Sequence, residues 1–338
     1  MKVESQCPAC LSTSQGRPET WSGQNWQAQQ CRECGHVCIH YSQLRAESGD
    51  LHDEYDQGAY TKSLKATRRR QAELILEMLK EARSEQERVA VDYGAGLGVM
   101  TAALLVSKRY RRVIALDTSP KSQALTRELG AVSLPAPLVF PTPLIEILRE
   151  HLPEDPSQGL DVFALDLIEH FESSDWTRDL HLLLKGLGRG SNAARMAGRL
   201  ILKFPNANGF FHGFAIAAAR LGWSLPFHRL ALAESSFPHR HIFTPKSIQC
   251  VADRADIRVE RIESDLDFEP ESFFDRLWSG RPSSSTVTTT QGLWQSAQQF
   301  ISQLLRFATP LIKALIPGDS LIVVLRWDAS VGRPDSSR

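Results

Sequence analysis

Between Arg88 and Asp166 the chain alternates two hydrophobic rhythms. Three short apolar runs, Arg88-Val89-Ala90-Val91-Asp92, Arg112-Val113-Ile114-Ala115-Leu116-Asp117 and Leu160-Asp161-Val162-Phe163-Ala164-Leu165-Asp166, each end on a carboxylate. Their length and near-continuous apolar character predict strands buried on both faces. Val99 to Lys108 resumes at helical spacing after the first run, and Thr67 to Arg83 places Ala72, Leu74, Ile75, Met78, Leu79 and Ala82 on a helix leading into it. Strand-helix alternation of this kind predicts an α/β fold with a doubly wound sheet. Gly198 to Phe204 continues it, and 320–326 reads as a last buried strand.

Elsewhere the rhythm loosens. Residues 207–236 form an apolar insertion rich in small residues, 281–292 a flexible Pro/Ser/Thr-rich linker, and 329–338 a disordered tail. In 293–316, Leu293, Ala297, Phe300, Ile301, Leu304, Leu305, Ala308, Leu311, Ile312 and Leu315 stripe one face of an amphipathic helix, with a bend at Pro310. That stripe suits packing on its own domain, a homodimer contact or peripheral membrane contact. With Arg306 and Lys313 as its only cations, attraction to anionic lipid is weak.

The 39 basic and 39 acidic residues cancel, so no global charge points to a nucleic-acid partner. No apolar run is long enough to span a bilayer, and Met1 to Gln6 lacks a signal-peptide core, which together predict a cytoplasmic location, with a peripheral position at the inner face of a membrane left open. Five of the six cysteines lie between Cys7 and Cys38. Cys7-x-x-Cys10 and Cys31-x-x-Cys34 present two pairs of thiolates, the donor set of a structural zinc ribbon over 1–48; two disulfides or four free thiols are the alternatives. Cys38 is left over and reads as a small buried residue. A main domain over 49–328 follows.

Between the first strand and helix stands Asp92-Tyr93-Gly94-Ala95-Gly96-Leu97-Gly98. Glycines there let a ligand approach bare backbone amides at a helix start. A dinucleotide site of the Gly-x-Gly-x-x-Gly form needs its last glycine where Val99 stands, which disfavours a nicotinamide-dependent oxidoreductase. Asp117, closing the second strand, is placed to accept both hydroxyls of a ribose. Glu169-His170 follows another strand on the same edge of the sheet. His239 and His241, two apart, share a side if extended, and histidine is the natural proton acceptor near neutral pH. Tyr60 is placed either to close over the cofactor or to pack. Arg68, Arg69 and Arg70 form a basic run that is either a solvated helix face or a phosphate contact.

From about Tyr60 to Trp327 the chain resembles the class I S-adenosylmethionine-dependent methyltransferases, in the branch typified by ubiquinone-biosynthesis and sugar-modifying enzymes. The matching stretches are Val91 to Gly98, Ile114 to Asp117, Asp166-Leu167-Ile168-Glu169-His170, Gly198 to Asn206 and His239-Arg240-His241-Ile242-Phe243-Thr244-Pro245. The resemblance implies a seven-stranded sheet whose last strand runs antiparallel to the rest. It implies that Asp92, Gly94, Gly96 and Gly98 border the methionine part of S-adenosylmethionine (SAM), that Asp117 holds the ribose, that Asp166 lines the pocket, and that His239 matches the motif histidine. The four-cysteine ribbon in front is similar to that of nucleotide-sugar C-methyltransferases. Those enzymes carry Tyr-x-Glu before the motif histidine, where this chain has Ser236-Phe237-Pro238, and a further C-terminal domain; no acidic residue follows the third strand for adenine between Leu134 and Ile145. The expected activity is methyl transfer to a sugar, nucleotide-sugar or glycan acceptor, including a lipid-linked one, on oxygen or carbon. The alternative from another class is a zinc-ribbon adaptor with a degenerate fold, against which the intact Asp92, glycines and Asp117 count.

Overall fold

The computed structural model describes residues 6–12, 19–23, 25–42, 59–80, 88–135, 151, 159–171, 197–233, 237–255, 257–265, 303 and 317–327. The linker at 281–292, the tail at 329–338 and, apart from Gln303, the amphipathic stretch at 293–316 lie outside the described residues.

Strands β1 (Glu19–Ser22), β2 (Trp26–Gln30) and β3 (Val37–Tyr41) form a small antiparallel meander. Helix α1 (Ala59–Met78) leads into β4 (Val89–Tyr93), α2 (Val99–Ser107), β5 (Arg112–Asp117), α3 (Pro120–Glu128) and β6 (Val132–Pro135). Then come β7 (Leu160–Leu165), a short 3-10 turn at Ile168–His170, and β8 (Gly198–Pro205). Helices α4 (Phe210–Arg220) and α5 (Leu225–Leu230) precede β9 (His241–Ile242), α6 (Pro245–Arg254), β10 (Arg258–Asp265) and β11 (Ser320–Trp327).

Seven strands form one sheet in the order β10-β11-β8-β7-β4-β5-β6. β4, β5, β6, β7 and β8 pair in parallel, whereas β11 runs antiparallel to both β8 and β10. This is a seven-stranded Rossmann-like sheet with one reversed strand, the arrangement that the resemblance implies. β10 escapes the hydrophobic pattern because Arg258-Val259-Glu260-Arg261-Ile262-Glu263 is an edge strand, half exposed and mostly charged.

Strand pleating splits the core in two. Val89, Val91 and Tyr93 of β4 join Val162 and Ala164 on the face covered by α6, through Ile248 and Val251. Ala90 and Phe163 point to the other face and meet Ala72, Ile75 and Met78 of α1 and Leu104 of α2. The edge at which β4, β7 and β8 begin is closed by a buried ion network. Asp161, fully buried, accepts from Arg199 at 3.0 and 2.6 Å, from Arg88 Nε at 3.0 Å and from the Tyr110 hydroxyl at 3.0 Å. Burial alone raises such a carboxyl, but Arg199 and Arg88 outweigh it and hold Asp161 below its usual range.

The apolar insertion has a partner. Ala215, Ile216 and Ala219 of α4, with Phe227 and Ala231, pack on Trp21, Trp26, Val37 and Ile39 of the meander. Phe227 lies 5.5 Å edge-on from the Trp21 ring and 4.9 Å from Trp26. The ribbon is also continued by the main chain, since β9 pairs antiparallel with β3, Val37 opposite Ile242 and Cys38 opposite His241. Among the described residues no helix is long and apolar enough to cross a membrane.

Candidate functional site

The glycine turn sits at the carboxyl end of β4, with Gly94, Gly96 and Gly98 at φ 78°, 51° and 68°. Left-handed backbone disfavours any side chain there, and space adds to the demand at two of the three. A Cβ on Gly94 would press on Leu167 at 3.2 Å, and one on Gly98 on Leu129 at 3.2 Å. Among the described residues, a Cβ on Gly96 meets nothing nearer than the Gly94 carbonyl at 3.8 Å, so its outer side can admit a ligand. Gly98 is the cap residue of α2, so the turn delivers the helix's first amides to that side.

Two carboxylates hold this turn. Asp117 accepts the Gly96 amide at 2.7 Å on one oxygen and the Ser119 amide at 2.8 Å on the other. Each oxygen keeps a lone pair, the capacity needed for a pair of ribose hydroxyls. Asp92 is buried and accepts the Thr101 hydroxyl at 2.6 Å, tying the strand end to α2. Burial pushes its carboxyl up to about 6, against the hydrogen bond from Thr101. The residues present therefore fit a SAM-type cofactor: open glycine backbone, a helix start and a ribose-competent carboxylate.

Asp166 follows β7 in left-handed backbone at φ 49°. Its carboxylate binds Lys203 Nζ at 2.7 and 3.1 Å and pairs with Arg68. Lys203 is buried in β8, and a cation set between Leu202 and Phe204 in an apolar run was the available signal for this pair. Of the basic run in α1, only Arg69 is exposed; Arg70 makes a two-pronged bond to Asp265 at 2.9 and 2.7 Å. The run is therefore not a solvated face. Tyr60 lies within α1, and its side chain is outside the described residues.

The histidines divide. Glu169, His170 and His239 converge beyond the ends of β7 and β8, their donor atoms within 4.8 Å of one another. The ring of His170 lies 5.0 Å from that of His239, and its Nδ1 is 3.1 Å from the Pro238 carbonyl. Glu169 is fully buried, and neither carboxylate oxygen has a hydrogen-bond partner among the described residues; the same holds for His239 Nδ1. Burial raises Glu169 to about 7 and lowers His170 to about 4, and it keeps His239 well below the ordinary imidazole range. At neutral pH both imidazoles are thus neutral, and Glu169 sits near its midpoint. The Glu169 carboxylate and His239 Nδ1, buried atoms without a partner among the described residues, make this cluster on the ligand-binding edge a candidate site for a second substrate.

His241 does not join them. It is buried on β9, with Nδ1 3.2 Å from His36 Nε2 and Nε2 3.2 Å from the Phe171 carbonyl. His241 and His239 therefore lie in different clusters, because β9 is drawn into the ribbon sheet, where its residues meet β3.

The four ribbon cysteines do meet. Cys7 Sγ lies 3.6 Å from Cys34 Sγ and Cys10 Sγ 3.6 Å from Cys31 Sγ, with all four sulfurs within 4.8 Å. A tetrahedral zinc with bonds of about 2.3 Å separates its sulfurs by about 3.8 Å, so the cage fits. The two knuckles repeat one design: Leu11 (φ 58°) donates to the Cys7 carbonyl at 2.8 Å, and Gly35 (φ 75°) to the Cys31 carbonyl at 2.9 Å. The hydrogen bond from Cys34 pulls Cys7 down to about 5 while Cys34 is raised, a pair sharing one proton.

No protein-family profile matches the chain, and no curated protein does. Solved structures do. A SAM-dependent methyltransferase from Anabaena variabilis is 14% identical, with 84% of this chain and 97% of that one covered at a TM-score of 0.45. An S-adenosylmethionine-dependent methyltransferase from Mesorhizobium loti is 14% identical over 81% of this chain and 100% of that one, at 0.41. A geranyl diphosphate methyltransferase in complex with SAM is 13% identical over 82% and 94%, at 0.38. Likeness at this level concerns the fold alone.

Proposed function

We propose that the chain is a SAM-dependent methyltransferase. The observation that carries the reading is Asp117: at the end of the second strand, it grips the Gly96 amide and keeps lone pairs toward the open side of the turn. Val99, first residue of α2, stands where a dinucleotide site of the tested form needs glycine.

Bound SAM would supply an activated sulfonium methyl. The chain's own task is to hold the acceptor in line and exclude water. His239, neutral and with Nδ1 unpartnered among the described residues, takes the acceptor's proton when that acceptor is a hydroxyl. Buried Glu169 faces the imidazoles from within 4.8 Å and stabilises the imidazolium that results. His170, held by Pro238, orients the pair. The acceptor we assign is a sugar, nucleotide sugar or glycan, on the similarity of the ribbon to that of sugar C-methyltransferases. The exposed Phe210, Phe214, Leu221 and Trp223 beyond β8 suit an acceptor with an apolar portion, such as a lipid-linked glycan. The four-cysteine zinc site is structural, since thiolates fill every position.

Calorimetry with SAM and with NAD tests the donor. Binding of SAM alone, followed by transfer of labelled methyl to a nucleotide-sugar and glycolipid extract, is expected. Binding of NAD and not SAM overturns the reading, and binding of neither favours an adaptor.

A further inference from the structure

The ribbon's face toward the main domain carries a second convergence of metal-ligating atoms, separate from the four cysteines. His36 immediately precedes β3 and Cys38 lies within it; as alternate residues of an extended segment they share one face. β9 places His241 opposite Cys38. His241 Nδ1 is then 3.2 Å from His36 Nε2 and 3.8 Å from Cys38 Sγ, and the three donor atoms lie within 4.8 Å of one another.

The Phe171 carbonyl, 3.2 Å from His241 Nε2, can only accept, so the proton of this ring belongs on Nε2. Nδ1 therefore presents its single in-plane lone pair to His36 and Cys38. One lone pair serves one donor, yet two groups approach it. A hydrogen bond between the rings would account for the nitrogens alone. A cation at the centre satisfies all three. For zinc bonds of about 2.05 Å to nitrogen and 2.3 Å to sulfur, tetrahedral geometry separates two nitrogens by about 3.3 Å and nitrogen from sulfur by about 3.6 Å. A metal-bound histidine whose other ring nitrogen donates to a backbone carbonyl is the usual supporting arrangement. Phe243, its ring 5.0 Å from that of His36, packs an apolar group against the cluster.

We infer that His36 Nε2, Cys38 Sγ and His241 Nδ1 form a second zinc-class site, with a water as fourth ligand, that clasps the ribbon to the main domain. Two imidazoles and one thiolate suit a borderline-soft divalent ion rather than magnesium or calcium. The site is independent of the methyl-transfer reading. Its consequence is positional: His241 is two residues from His239, and Phe171 two from Glu169, so the clasp would fix both arms of the acceptor site.

Elemental analysis of the purified full chain is expected to give two zinc ions per molecule, and Cys38→Ser combined with His241→Asn one. X-ray absorption on the wild type gives an answer should that variant fold poorly: two filled sites average about two and a half sulfurs per zinc with a clear nitrogen shell, whereas the ribbon alone gives about four sulfurs. Cobalt(II) titrated into metal-free protein is expected to bind in two equivalents, the second adding far weaker thiolate absorption than the first. A wild type that saturates at one metal with an all-sulfur shell, or a double variant that still binds two, overturns the inference.

Discussion

The two halves of the candidate site are built in opposite ways. The donor half, Asp92 to Gly98 with Asp117, comes from one β-α-β stretch of chain, and its polar groups are bonded to each other, Asp117 to Gly96 and Asp92 to Thr101. The acceptor half joins Glu169 and His170 to His239, distant in sequence, and leaves Glu169 and one His239 nitrogen buried without hydrogen bonds among the described residues. Local, self-satisfied geometry suits a cofactor that is the same in every turnover. Buried polar groups held without partners cost stability and persist where a substrate uses them. The comparison teaches that damage to the first half should act on cofactor affinity, and damage to the second on turnover.

The largest effect is expected from Gly96→Val. A β-branched residue at φ 51°, projecting into the open side of the turn, should weaken SAM binding by on the order of a thousandfold, adding left-handed strain to direct obstruction, as read by calorimetry. Next, Glu169→Gln should lower the turnover number by about a hundredfold while leaving SAM affinity within a factor of about two. Asp117→Asn keeps the size of the side chain but weakens its acceptors, and about a tenfold rise in the SAM dissociation constant is expected.

A smaller effect separates stability from activity at Glu169. Its carboxyl is raised from 4.5 to about 7 by burial. A raised folded-state pKa gives stability that is complete below the unfolded value and is lost as pH rises through about 7. Glu169→Gln removes that dependence, so the variant should match the wild type in Tm near pH 4.5 and exceed it by a few degrees near pH 8 in thermal unfolding. The smallest effect belongs to Arg69→Gln: the one exposed member of the basic run should change neither SAM affinity nor acceptor KM measurably.

What the sequence made legible follows the same division. Asp92, the three glycines and Asp117 were readable because a turn between a strand and a helix states its geometry in consecutive residues. The paired cysteines were readable for a similar reason, each knuckle being a local loop. Glu169 and His170 were found by their place after a strand, and His239 by its motif match, but nothing separated His241 from His239 until β9 joined the ribbon and carried His241 to His36 and Cys38. No local pattern announces that a strand of the main domain completes a sheet begun some two hundred residues earlier. The same long-range packing explains 207–236, an apolar insertion in the sequence whose helices α4 and α5 cover Trp21 and Trp26. Lys203 in β8 and Asp161 in β7 were visible as charges in apolar runs, yet only the fold pairs Lys203 with Asp166, which also meets Arg68, and Asp161 with Arg88 and Arg199.

The most direct measurement is SAM binding and turnover compared side by side in Asp117→Asn and Glu169→Gln, with calorimetry for the first quantity and transfer of labelled methyl for the second. Weakened binding in the Asp117 variant, with near-normal binding and depressed turnover in the Glu169 variant, is the expected result. Equal SAM affinity in the wild type and the Asp117 variant, or loss of SAM binding on replacing Glu169, would contradict the division of the site into a donor half and an acceptor half.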